Sequence, residues 1–203
     1  MVKCVVRSDV PSNTRSATDL AIVLKALRFA AIKHRDQRRR DRHGSPYIIH
    51  PIDLACVLMV EGGVTDTATL VAALLHDTIE ATRTTRIEIE RGFGAEVAAI
   101  VSEVTDAWTL RSDERKRLQI RNAATLSPKA RLVRLADKIS NVRDIDAGSP
   151  VSWDAQRKSN YISQSRQIVD RIRGVSPDLE RIFDGLYKRA TTRLGDVKEE
   201  HST

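Results

Sequence analysis

Aromatic side chains are scarce in this chain: they make up 4% of its 203 residues. Hydrophobic residues reach 41% all the same, so the core must be built from Leu, Ile, Val and Ala, a mixture that favours helices over a β-sandwich. Cysteine is nearly absent. Cys4 and Cys56 form neither a disulfide framework nor a zinc-ribbon pattern, and Cys56 reads as a small buried apolar residue. Two cysteines fit a reducing cytoplasm. Apolar runs such as Leu70 to Leu75 fall far short of the ~20 residues that span a bilayer. The N-terminus lacks an apolar stretch of signal-peptide length. No internal repeat, low-complexity region or strand-like alternation is visible. The expectation is one soluble, cytoplasmic, all-α domain without a membrane partner.

Charge is present in excess. The formal net charge is +7, which invites a polyanionic partner without saying whether that partner is a nucleic acid, a membrane or a small phosphorylated molecule.

Helical periodicity organises most of the chain. Residues 1–16 read as a lead-in, 17–195 as a single domain and 196–203 as a polar tail. From Ala17 to about Arg40, Leu20, Val23, Leu24, Leu27, Ala30 and Ala31 recur at helical spacing, with Thr18 or Asp19 as a cap. Asp41 to Pro46 reads as a loop. Pro51 to Val60 follows as a helix stopped by Gly62–Gly63, and Thr65 or Asp66 opens a very apolar segment ending at Leu75. Thr84 or Thr85 caps a short helix broken by Gly92 and Gly94; Ala95 to Val104 and a charged Asp113 to Ala123 come next. Ser127–Pro128 has helix-start chemistry for a segment reaching Asp146. Pro150 to Arg173 and a helix from Ser176–Pro177 complete a bundle of roughly eight to ten helices.

Four polar residues resist a core explanation. His76 and Asp77 end the apolar stretch, where an unpaired buried carboxylate costs several kcal/mol, on the order of what a metal or partner must offset. Asp137 borders the apolar stripe Leu132, Leu135, Ile139, where a surface ion pair with Lys138 or Arg134 is the bland alternative. His50 precedes Pro51 at a loop-to-helix junction. Taken together, His50, His76, Asp77 and Asp137 form a mixed imidazole–carboxylate set that suits Mn²⁺, Fe²⁺ or Zn²⁺. Glu80 lies one turn beyond the pair, placed to act on water rather than as a ligand. Asn141, one turn after Asp137, is a candidate hydrogen-bonding partner at the same site.

The run Arg38-Arg39-Arg40-Asp41-Arg42-His43 is the densest positive charge, and it leads into His50. Guanidinium forks grip phosphate oxygens, so Arg39 and Arg40 are phosphate candidates, with a solvated helix end as the alternative. Tyr47, Arg157 and Tyr161 are further candidates for stacking or phosphate contact, the last two on one helical face. The absence of a nucleic-acid-binding motif or aromatic platform argues against DNA or RNA.

The stretches "AIKHRDQRRRDRHGSPYIIHPIDLA", "AALLHDTIEAT", "FGAEVAAIVSEVTD" and "KARLVRLADKISNVRDI" resemble the hydrolase domain of RelA/SpoT-homologue proteins, a branch of the HD metal-dependent phosphohydrolases. The likeness runs from about Leu20 to Leu186 and is strongest to the small single-domain alarmone hydrolases. It implies a helical HD-domain fold, Mn²⁺, and removal of the 3′-pyrophosphate from (p)ppGpp or its adenine analogue. By that resemblance His50, His76, Asp77 and Asp137 are metal ligands and Glu80 activates water. Asn141, Arg39, Arg40, Tyr47, Arg157 and Tyr161 then match nucleotide-contact positions.

Two positions depart from the pattern. Ala81 stands where the family usually has a second acid, and three explanations compete. Glu80 suffices alone, the substrate has been retuned, or the alanine is a ligand-trapping substitution. Ser140 stands where relatives often carry an aromatic, which leaves the wall facing the base open. The alternatives are another HD nucleotide phosphohydrolase, acting on nucleoside monophosphates or NADPH, and an alarmone-binding module disabled by Ala81.

Overall fold

A computed structural model describes residues 14–106 and 110–200, with side chains described over 16–106 and 110–195. The reading of residues 1–13 as a lead-in, and the last three residues of the tail, lie outside the described residues. Ten α-helices and no strand occur among the described residues: α1 Thr14–Lys33, α2 Ile49–Cys56, α3 Thr67–Leu75, α4 Thr78–Ala81, α5 Arg86–Phe93, α6 Ala95–Val104, α7 Ser112–Asn122, α8 Pro128–Asp146, α9 Ala155–Ile172 and α10 Pro177–Glu200. A π-helical turn, Val57–Glu61, continues α2.

Helix α3 is apolar on every side, so it can be stable only at the centre. Thr69 through Leu75 are all buried, and α1, α2, α6 and α8 surround the helix. Its start is fixed locally: Asp66 Oδ1 accepts from Thr69 N at 2.9 Å and from Thr69 Oγ1 at 2.6 Å. Helix α8 is the second axis, packed against α2, α3, α6, α9 and α10. Ser127 Oγ caps it by accepting from Ala130 N at 3.3 Å, with Pro128 in the first turn. Thr85 caps α5 and Asp154 caps α9 in the same way. Gly94 ends α5 at φ 92°, a left-handed value that a side chain would strain. Charged α7 buries no residue.

Several boundaries differ from the sequence reading. Helix α1 begins at Thr14 and stops at Lys33 instead of reaching Arg40. Beyond it, residues 37–47 fold back on themselves: Arg39 N donates to Ser45 O at 2.8 Å and Tyr47 N to Gln37 O at 3.1 Å. Asp41 Oδ1 accepts from His43 N and Ser45 N, both at 3.0 Å, and so tightens the tip. The basic run is therefore a loop and not a solvated helix end. Helix α2 begins at Ile49, which places His50 inside it. Helix α9 starts at Ala155 rather than Pro150, and α10 runs on to Glu200 past Gly195. Cys56 is half-buried rather than buried.

Candidate metal centre

Helices α2, α3 and α8 meet where the polar residues left unexplained by the core come together. His50 lies in the first turn of α2 and Asp137 midway along α8. His76 and Asp77 occupy the break between α3 and α4. Asp77 has φ −95° and ψ −4°, outside regular helix, and this kink lets neighbouring side chains approach a common point. One ligand atom each from His50, His76 and Asp137 lie within 4.8 Å of one another, and all three residues are buried. Asp77 Oδ2 stands 3.1 Å from His76 Nε2 and 4.0 Å from His50 Nε2. His50 Nε2 is 3.4 Å from Asp137 Oδ1.

The residues behind this cluster aim it inwards. His76 Nδ1 donates to Ala73 O at 2.8 Å, which fixes the ring so that Nε2 faces the cluster. Nε2 itself is buried and makes no hydrogen bond. A cation there would satisfy this nitrogen in place of the proton that Asp77 Oδ2, 3.1 Å away, otherwise holds on it. His50 Nδ1 lies 3.3 Å from Ser140 Oγ, Tyr47 donates its hydroxyl proton to Asp77 Oδ2, and Asn141 Nδ2 donates to Asp137 Oδ1 at 2.6 Å. Lys138 Nζ pairs with Asp137 Oδ2 at 3.0 Å.

The electrostatics fit the donor set. Burial opposes charge on Asp137, but Lys138 and His50 outweigh it and hold its carboxyl well below the usual range. Burial likewise opposes charge on Asp77, and His76 overrides it, leaving an ionised carboxylate. Burial and the adjacent Asp77 both push the Tyr47 phenol far up, so it remains a donor. Two ionised carboxylates and two imidazoles, brought together by α2, α8 and the α3–α4 break, can hold a divalent cation.

The cluster opens into a cleft of about 630 Å³, large enough for a nucleotide. Arg38, Arg39, Arg40, Arg134 and Lys138 line it, and carboxylates outnumber these cations by one. A divalent ion makes the balance positive. Arg39 pairs with Asp144 through Nη2, while its Nη1 is buried and makes no hydrogen bond. Glu80 and Ala81 share the wall. Burial, Asp106 and Asp77 together raise the Glu80 carboxyl above its ordinary value, as suits a group that takes up a proton.

Arg40, Tyr47, Asn141 and Tyr161 also line the cleft, whereas Arg157 does not. Its guanidinium lies 4.6 Å from the centroid of the Trp153 ring. Trp153, which stands 5.6 Å from the Tyr161 ring, lines the cleft in its place. Ser140 is a correction: it supports His50 from behind and forms no part of the cleft wall. Sequence reasoning missed Trp153, Asp106, Gln119 and Asp144 on that wall. It also offered Lys138 as a surface partner for Asp137, but Lys138 is 5% exposed. Position alone could have flagged it, because it follows Asp137 on the side of Leu135 and Ile139.

The pattern of the HD domain family matches residues 26–164. The chain belongs to the HD-domain family. Within it, the chain is 48% identical over 171 residues to the guanosine-3′,5′-bis(diphosphate) 3′-pyrophosphohydrolase MESH1 of Xenopus tropicalis, covering 84% of this chain and 96% of that one. The human protein of the same name is 47% identical over 172 residues, covering 85% and 96%. A solved structure described as a metazoan orthologue of SpoT that hydrolyzes ppGpp superposes with a TM-score of 0.81 at 40% identity, covering 90% of this chain and 98% of its own. This HD-domain protein therefore has relatives along nearly their whole length. None of its described helices is long and apolar enough to cross a membrane.

Proposed function

We propose that this protein hydrolyses the 3′-pyrophosphate of guanosine 3′,5′-bis(diphosphate), using Mn²⁺ held by His50, His76, Asp77 and Asp137. The observation that carries the proposal is the buried His50–His76–Asp137 cluster at the floor of an arginine-lined cleft. The relatives that share most of the chain carry this activity in their names. Mixed nitrogen and oxygen donors suit manganese. When bound, the ion supplies Lewis acidity, polarising a phosphoryl oxygen and acidifying water.

The chain's own groups do the rest. Glu80 takes a proton from the attacking water, whose oxygen forms the new bond to the 3′-phosphorus. The bond from that phosphorus to the ribose 3′-oxygen breaks, pyrophosphate leaves, and the 3′-oxygen takes up a proton. Asn141 and Lys138 keep Asp137 ionised and oriented. Arg39 and Arg40 neutralise phosphate charge, and Tyr161 flanks the nucleotide beside Trp153. Arg157 acts through its stack on Trp153.

Purified protein with Mn²⁺ should release pyrophosphate and GDP from the substrate. No turnover with manganese demonstrably bound would refute the reading. Release from nucleoside monophosphates or NADPH alone would favour a different HD phosphohydrolase.

A further inference from the structure

Glu80 sits on α4, a four-residue helix whose N-cap Asp77 makes no capping bond. So short a helix cannot hold a side chain by itself. The support comes from elsewhere. The main-chain N–H of Asp106 donates to Glu80 Oε2 at 3.3 Å, across 26 residues of sequence. Asp106 is itself clamped on both oxygens. Gln119 Nε2 donates to Oδ2, and Arg134 Nη2 approaches Oδ1 at 3.4 Å. Gln119 Oε1 in turn accepts from Gln164 Nε2 at 2.6 Å, and Arg134 Nη2 also donates to Val104 O at 2.8 Å. A hydrogen-bonded chain thus runs from α9 through α7 to Asp106 and ends on α4, with a strut from α8. Glu80, Asp106, Gln119 and Arg134 all line the cleft.

We propose that Asp106 is a positioning residue for Glu80. Its backbone amide fixes one carboxylate oxygen, and its clamped side chain keeps that amide in place while pairing Arg134 away from Glu80. A plain structural staple between the α6–α7 connection and α8 would need the Arg134 contact alone. It would not need an amide aimed at Glu80 or a second clamp from α7. The inference rests on Glu80 acting on water as proposed above.

The test is pyrophosphate release from guanosine 3′,5′-bis(diphosphate) with Mn²⁺. Asp106→Asn keeps the backbone amide but loses the charge that holds Arg134. It should lower kcat about 10- to 100-fold, with KM and bound manganese within about twofold of the parent. The decisive comparison is with Glu80→Gln. If Asp106 works through Glu80, adding Asp106→Asn to that variant costs less than about twofold more. If Asp106→Asn folds poorly, Gln119→Met removes the clamp from α7 alone and should lower kcat about three- to tenfold, with the same failure to add. Losses that multiply in the Glu80→Gln background, or single variants with parental kcat, would overturn the inference. A parent protein that binds manganese and releases nothing would instead sink the proposed function.

Discussion

Removing the proposed metal should cost stability in an amount set by how far its concentration exceeds its dissociation constant. The four proposed ligands come from α2, the α3–α4 break and α8, so an ion there ties together the elements around the core. Binding only to the folded state at about 100 times its dissociation constant adds about 2.7 kcal/mol. For a chain of this size each kcal/mol moves Tm by about 2–4 °C, so manganese should raise Tm by roughly 5–11 °C over the chelated protein. The shift should also depend on pH, with a definite sign. In the metal-free protein burial pulls the His76 pKa down, but Asp77 outweighs it and raises it from 6.5 to about 9. That proton's stabilisation is complete below pH 6.5 and is lost as pH rises through about 9. The ion must displace the same proton, so the manganese-induced shift should widen between those limits. Differential scanning fluorimetry with and without chelator measures it. His76→Ala, and the milder Asp137→Asn, should abolish most of the shift while keeping the helical circular dichroism. An undiminished shift in His76→Ala would refute the ligand assignment.

The remaining predictions concern turnover and packing. Because burial, Asp106 and Asp77 raise the Glu80 carboxyl, kcat/KM should fall with acid along a limb lying above the ordinary glutamate value of 4.5, and Glu80→Gln should erase that limb in a pH–rate profile. Ala81→Asp places a second acid on the cleft wall; if Glu80 carries the proton transfer with Asp106 behind it, kcat should change by less than about threefold, whereas a gain near 100-fold would reveal a disabled site. Gly62→Ala should destabilise by about 1–3 kcal/mol in denaturant titration, because its added methyl would meet Leu179 at 2.8 Å and Leu58 O at 2.9 Å.

How much was legible in the sequence depended on how local the cause was. Asp66, Thr85 and Ser127 mark helix starts within three residues of the amides they cap, and each could be read from the chain alone. The end of α1 could not. Nothing near Lys33 forbids more helix; it stops because residues 37–47 close on themselves through Asp41, Ser45 and Tyr47. The proposed ligands were visible because His76 and Asp77 interrupt an apolar stretch that has no other use for them. Its supporting residues were not. Ser140 reaches His50 across 90 residues and Asp106 reaches Glu80 across 26, and neither pairing leaves a periodic trace. Arg157 and Tyr161 share a helical face as their spacing requires, yet only Tyr161 lines the cleft, because Trp153 from the preceding loop lies beneath Arg157.

The most direct test of the central claim is anomalous diffraction at the manganese edge, from crystals grown with Mn²⁺ and a non-hydrolysable guanosine 3′,5′-bis(diphosphate) analogue. The account predicts one strong peak ligated by His50, His76, Asp77 and Asp137, with the 3′-phosphate beside it and Glu80 within reach of a water. A peak elsewhere, or none with the nucleotide bound in the cleft, would contradict it.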